Sequence, residues 1–406
     1  MESITERRDL RTGMTVWEAT PSAQVATEPL VRAMKVDVVI VGAGISGALM
    51  AAAATARGMS TIVIDRRPPG HGSTAASTAL LLHELDTPLI ELAEMLGLDR
   101  AARVWLRSLR AVQDLASLIR QAGIGCDFRP RRSLYLSGNR LGAAGMAKEH
   151  RLRRSIGLPT SLLDHRQLQG MIGIDRDAAL LSEGSAEADP RLLTIGLLQR
   201  AMARGCRVFS PAELAAVAPS SRSVEMVTSD GVELAAGALV FATGYELADG
   251  VPSAGHRRTS TFVLATPPQP GAIWSQGELI WEASDPYLYI RSTTDGRVIV
   301  GGEDEDFSDD TKRDALLPSK IRALQEKIAM LLPRLDIQAD FAWSGTFGES
   351  DRGLPSIGAI PGMPNCHAVL GYGGNGITFA MMAAQIIAGE LSGGRDSDAE
   401  LFAFAG

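Results

Sequence analysis

Val36-Asp37-Val38-Val39-Ile40-Val41-Gly42-Ala43-Gly44-Ile45-Ser46-Gly47 is the stretch on which the reading of this chain turns. Its first half is a β-branched run of the kind buried on both faces of a parallel sheet. Three glycines at GxGxxG spacing follow at once, and then an alanine-rich helical run, Ala48 to Arg57, closed by Gly58. A second short apolar strand, Thr61 to Ile64, ends at Asp65. This is a complete β-α-β unit in about 30 residues. A lone GxGxxG is weak evidence, but one between a strand and a helix, with an acidic residue closing the next strand, predicts a dinucleotide site. Gly42 permits the tight turn, Gly44 lets the backbone approach a pyrophosphate, and Gly47 lets helix and strand pack closely. Ile45 and Ser46 open the helix whose N-terminal amides face the anion. Asp65 sits where ribose hydroxyls are bound, with Arg66 next to it.

The fingerprint does not choose between FAD and NAD, so two further segments matter. Residues 66 to 78 are small and hydroxyl-rich, suited to packing backbone against a phosphate or a planar ring. Gly371-Tyr372-Gly373-Gly374-Asn375-Gly376-Ile377-Thr378 opens an apolar helix, so its amides and helix dipole can face a developing negative charge.

Outward from these motifs, the pattern is helical from Pro88 to Gly123, strand-like over Cys126 to Leu136, helical over Leu192 to Arg204, and a strand, turn and strand over Val224 to Thr243. Strand-like pieces at 261–265, 287–291 and 297–301 predict an antiparallel sheet, followed by helices over Pro318 to Leu331 and Thr378 to Leu391. The fold class expected from this pattern is α/β, a Rossmann-like dinucleotide-binding unit with a further antiparallel sheet.

Composition excludes several functions. Net charge is −7 from 47 acidic and 40 basic side chains, with no basic run to neutralise a nucleic-acid backbone. Three scattered cysteines, Cys126, Cys206 and Cys366, form neither a metal pair nor a disulfide framework, so no metal is expected and a reducing, cytoplasmic setting is. Arg7-Arg8 precedes polar residues rather than an apolar h-region, and no run reaches the ~20 apolar residues of a membrane span.

Together, VDVVIVGAGISG (36–47), GSTAASTALL (72–81), ADPRLL (188–193), VFATGYE (240–246), YLYIRSTTDGRVIVGG (287–302), GLPSIG (353–358) and GYGGNGITFA (371–380) resemble the FAD-dependent D-amino-acid-oxidase-like superfamily, which includes glycine, sarcosine and gamma-glutamylputrescine oxidases. The resemblance covers nearly the whole chain. It implies a noncovalently held FAD and an α/β fold in which a Rossmann-like, discontinuous FAD-binding domain, residues 34–105, 185–255 and 340–406, is interleaved with an α+β substrate domain built on an antiparallel sheet. A substrate domain of residues 106–184 and 256–339 and an N-terminal extension, 1–33, complete the expectation. It further implies that Asp65 holds the adenosine ribose, Ser73 and Thr74 the pyrophosphate, Thr243 and Gly244 the adenosine side, and Gly374 to Thr378 the pyrimidine edge of the flavin. Ala76 and Ser77 belong to the same flavin-facing loop, and Leu214 makes a backbone contact to adenine.

The stretches Val16 to Thr20 and Trp343 to Gly348 are similar to the gamma-glutamylputrescine-oxidase-like branch. Phe347 stands where glycine-oxidase-like members carry the arginine that binds a substrate carboxylate. Arg291 is the replacement, since alternation puts Tyr287, Tyr289 and Arg291 on one strand face. Thr346 falls where some members attach flavin through a cysteine, and His71 is the remaining attachment candidate. The activity implied is oxidation of a C–N bond in an amine or N-substituted amino acid by hydride transfer to flavin N5, giving an imine, with oxygen or an electron carrier as acceptor. Oxidation of a 2-hydroxy acid or related alcohol, and a non-catalytic flavoprotein subunit, stay open as alternatives.

Overall fold

The computed structural model describes residues 1–19, 24–274 and 276–404, so Thr20 of the Val16 to Thr20 stretch lies outside the described residues. Two sheets organise the chain. The first runs Ser356–Ala359, Cys366–Leu370, Glu233–Phe241, Met34–Val41, Thr61–Ile64, Arg207–Phe209, with the pair Leu214–Pro219 and Val224–Thr228 attached beside Glu233–Phe241. Met34–Val41 is parallel to both of its neighbours, which is why its C-terminal half is apolar on both faces: Val39 and Ile40 are fully buried.

The helix Ile45–Ala56 leaves the C-terminal end of that strand. Its alanines have high helix propensity and small volume, so it can lie in close contact with both Pro190–Met202 and Gly376–Leu391. Gly47 lets the start of this helix lie against the turn that leaves the strand, because a Cβ there would sit 1.8 Å from the Gly42 carbonyl oxygen. Gly42 itself has φ +113° and would place a Cβ 2.3 Å from the Ala242 carbonyl oxygen.

The second sheet runs Arg11–Thr12, Phe341–Ser350, His256–Ala265, Val298–Glu305, Leu288–Ser292, Leu279–Glu282, Arg129–Leu136, Ala178–Glu187, Leu80–Leu81, with Thr160–Asp164 paired to Ala178–Glu187. It is antiparallel except where Leu279–Glu282 runs parallel to Arg129–Leu136. One face is packed by the helix Asp310–Leu331 through Ile321, Leu324 and Ile328.

Three sequence expectations need correction. The boundary at 105/106 cuts the single helix Leu98–Ala122, whose Trp105, Val112, Leu115 and Ile119 belong to the core beside the first sheet. The piece 340–406 begins too early, because Phe341–Ser350 is a strand of the second sheet, paired along its length with His256–Ala265. The helix read from Pro318 starts at Asp310, capped by Asp309 accepting from the Lys312 amide at 2.8 Å, so Pro318 lies inside it. The N-terminal extension carries a strand, Arg11–Thr12, and a short helix, Val16–Ala19.

Candidate active site

An elongated cavity enclosing about 1720 Å³ of empty space, its mouth included, lies between the C-terminal edge of the first sheet and the open face of the second. At one end it is lined by Gly42, Gly44, Ile45, Ser46, Asp65, Arg66, Leu214, Thr243 and Gly244, in the middle by Ser73, Thr74, Ala76 and Ser77, and further on by Tyr289, Phe347, Gly374, Gly376 and Ile377. Four of the residues named from sequence do not line it: Gly47, Asn375, Thr378 and Arg291.

The fingerprint turn is held by side chains as well as by its glycines. The carboxylate of Asp65 accepts from the Ala43 amide at 2.6 Å and from the Arg67 amide at 2.7 Å. Burial pushes its pKa up, opposed by those two amides. Thr74 Oγ1 accepts from the Ile45 amide at 3.0 Å, tying the 73–78 loop to the helix N-terminus. Arg67 forms a two-pronged ion pair with Glu246, at 2.6 and 2.7 Å, and Thr243 donates its hydroxyl to the Glu246 carbonyl at 2.6 Å. Two indoles fix the next loop residues: Trp343 donates to the Ala76 carbonyl at 2.9 Å and Trp17 to the Ser77 carbonyl at 2.8 Å.

Asn375 and Thr378 act one layer back. Asn375 donates to the Glu84 carbonyl at 2.8 Å and Thr378 to the Leu82 carbonyl at 2.9 Å, so both brace the glycine loop against segment 82–86. That segment is anchored in turn by a buried triad in which Arg153 reaches Glu84 at 2.6 Å and Glu149 at 2.8 Å.

Arg291 is a correction. It is on the strand face expected and fully buried, but its Nη1 donates to the carbonyls of Thr78, Ala79 and Ala188 at 3.0, 3.0 and 2.9 Å, and its Nε lies 3.5 Å from Glu187. These bonds hold the end of the 73–79 loop, and Arg291 does not line the cavity.

Sequence reasoning missed Asp86, Tyr245, Trp281 and Tyr372, all of which line the cavity, and passed over Tyr287 as a site residue. The Gly374 amide donates to one Asp86 oxygen at 2.7 Å, and no protein donor among the described residues meets the other. Burial raises the Asp86 pKa to about 6, with Glu349 pushing the same way and the Gly374 amide and Arg140 opposing. Nearby, burial raises the carboxyl pKa of Asp304 to about 7, opposed by the hydroxyls of Thr261 and Tyr287, with Glu349 and Asp86 pushing the same way as burial. Tyr289 and Thr261 share a hydroxyl hydrogen bond of 3.0 Å, and Tyr245 and Tyr372 meet edge to face at 5.9 Å. Among the described residues, the cationic side chains lining the cavity are Arg66 and Arg67, both at the fingerprint end.

The model of a family described as FAD dependent oxidoreductase (DAO) matches residues 37–390. The chain belongs to this FAD dependent oxidoreductase family. As a DAO-family member it is an oxidoreductase that uses FAD. "Probable oxidoreductase OrdL" of Haemophilus influenzae is 21% identical over 379 residues, 90% of this chain and 85% of that protein. Glycine oxidase from Geobacillus kaustophilus shares the fold with a TM-score of 0.74 at 20% identity, over 91% of this chain and 98% of that one. L-proline dehydrogenase from P. horikoshii does so with a TM-score of 0.72 at 17% identity, over 91% and 96%.

The cavity fits the DAO-family cofactor on its own chemistry. Ser73 Oγ is buried in the lining without a partner, as a phosphate-binding hydroxyl would be. A Cβ on Gly44 would fall 3.0 Å from Thr74 Oγ1, closing the notch through which backbone amides reach a pyrophosphate.

Proposed function

We propose that the chain oxidises the C–N bond of a cationic amine, rather than of a substrate recognised through a free carboxylate. The observation that carries this reading is the chemistry of the cavity end beside Gly374. A carboxylate, Asp86, stands among Tyr245, Tyr287, Tyr289 and Trp281, and no lysine, arginine or histidine among the described residues lines that end. An ammonium ion is held by such a set through charge and the faces of the rings. A carboxylate substrate would meet repulsion from Asp86 and find no guanidinium, since Arg291 is committed elsewhere.

The flavin, when bound, supplies the hydride acceptor, N5. The protein's part is to orient the amine, exclude water and manage one proton. Ionised Asp86 holds the substrate ammonium and takes one proton from it, and the neutral amine then gives up its α hydrogen as hydride, leaving an iminium ion that hydrolyses in water. FAD retention is noncovalent in this reading: among the described residues no cysteine or histidine lines the cavity, and His71 is outside it. Oxygen or an electron carrier is the acceptor. Three unpaired, buried thiols fit a cytoplasmic protein, and no helix among the described residues is long and apolar enough to cross a membrane.

The test is anaerobic reduction of the bound flavin, watched by absorbance, with primary and secondary amines, α-amino acids and 2-hydroxy acids. Bleaching by amines at lower concentrations than by their carboxylated analogues is expected. Preferential bleaching by the carboxylated compounds refutes the proposal.

A further inference from the structure

The N-terminal segment, which carries no motif, is built into the wall of the cofactor cleft. Thr5 and Leu10 both line the cavity and are 8% and 5% exposed, whereas the side chain of Arg7 between them is 70% exposed. The segment therefore has an inner face toward the cofactor and an outer face in solvent.

Its two halves are tied to different sheets. On the nucleotide side, the Ile4 amide donates to the Leu214 carbonyl at 3.0 Å, the Asp249 amide to the Ile4 carbonyl at 2.8 Å, and the Glu6 amide to the Leu247 carbonyl at 2.9 Å. Arg66, itself in the lining, donates to the hydroxyl of Thr5. The Arg8 amide donates to Glu246 at 2.8 Å, and Arg67 donates to the Arg8 carbonyl at 2.8 Å. On the other side, Arg313 donates to the Asp9 carbonyl at 2.8 Å, the Thr346 amide donates to the Leu10 carbonyl at 2.9 Å, and Arg11–Thr12 pairs with Phe341–Ser350.

We infer that residues 4–12 form a strap across the FAD cleft, with Thr5 and Leu10 as cofactor-contacting residues, and that the strap must lift for FAD to enter or leave. A dinucleotide behind a chain segment hydrogen-bonded at both ends cannot escape while that segment is in place. Lifting it does not require the core to unfold. Its outer ties are surface ion pairs, Arg7 with Glu213 at 2.8 Å, Arg8 with Asp310 at 3.3 Å, and Glu6 with Arg258, and such pairs contribute little individually. The strap thus supplies retention where no covalent bond does. This inference stands on the family's cofactor and is independent of the amine proposal.

The test uses the full-length, FAD-loaded protein and two readouts that do not depend on turnover. In the first, FAD release after dilution is followed by recovery of free-flavin fluorescence in Thr5→Ala/Leu10→Ala and in a control, Leu168→Ala, a core truncation outside the cavity. Release is expected to rise about tenfold or more in the strap variant, the change that ~1.4 kcal/mol of lost contact gives, and to accelerate with salt as the ion pairs are screened. Release in the strap variant no faster than in the control overturns the inference. In the second, hydrogen exchange at the amides of Ile4, Glu6 and Thr346 in the unmodified protein is expected to be faster without FAD than with it. Equal exchange in the two states overturns the inference even if the double variant fails to fold.

Discussion

Replacing Asp86 by asparagine is the most direct way to ask what the far end of the cavity is for. Asparagine keeps an oxygen to accept from the Gly374 amide, now 2.7 Å from the carboxylate, so the loop geometry survives and only the charge is lost. Two unit charges 4 Å apart interact by about 4 kcal/mol at an effective dielectric of 20. Removing one partner of a buried charge pair costs about 2–5 kcal/mol once desolvation is included. A loss of about 2–4 kcal/mol in the reduction rate constant over Kd for a cationic amine is therefore expected, roughly 30- to 1000-fold. The pH profile carries the sign. The group must be ionised to hold the ammonium, and burial has raised its pKa to about 6. Reduction by amines should thus be independent of this group above pH 6 and fall about tenfold per unit below it, as the carboxyl protonates. In Asp86→Asn that acid limb should vanish. Stopped-flow anaerobic reduction across pH 4.5 to 8.5 measures both. A variant within about threefold of the parent, with its acid limb intact, would refute the assignment of the carboxylate to substrate binding.

Two further substitutions separate structure from chemistry. Arg153→Met strands Glu84 and Glu149, both fully buried, and should cost about 3–5 kcal/mol in denaturant unfolding; adding Glu84→Gln and Glu149→Gln should restore most of it, and a single variant as stable as the parent would show the triad to be idle. Arg291→Met leaves three buried carbonyls without their donor and should lower stability by about 3 kcal/mol or more, while amine and amino-acid reduction change in parallel; selective loss of amino-acid reduction would return Arg291 to the substrate.

The dinucleotide unit was legible because its signals are local. A β-branched strand, three glycines and an alanine helix stand within about 30 residues, and each has a backbone reason for its place. What escaped was set by distance. Alternation put Tyr287, Tyr289 and Arg291 on one face correctly, but each step of two residues advances a strand by about 6.6 Å. That displacement carries the guanidinium past the cavity to the carbonyls of Thr78, Ala79 and Ala188. Asp86 sits in an irregular segment with no period, and its partner, Gly374, is 288 residues away. Thr5 and Leu10 lie in a polar stretch whose only signal is the surface it covers. The domain limits at 106 and 340 failed for a related reason, since helix Leu98–Ala122 and strand Phe341–Ser350 each lie beside elements remote in sequence.

The pairing of Met34–Val41 with Glu233–Phe241, and of that strand with Cys366–Leu370, has a consequence for how the molecule comes into being. The central strand of the first sheet emerges from the ribosome about 200 residues before one of its two neighbours, Glu233–Phe241, and the glycine loop of the cavity follows about 130 residues after that. Such long-range parallel pairing folds slowly and leaves strand edges open meanwhile. A ligand that binds only the finished cleft stabilises it by mass action. FAD supply during expression should therefore govern the yield of soluble protein as much as its activity, with flavin-starved cells accumulating chains whose central strand, already beside Thr61–Ile64, keeps its other edge open.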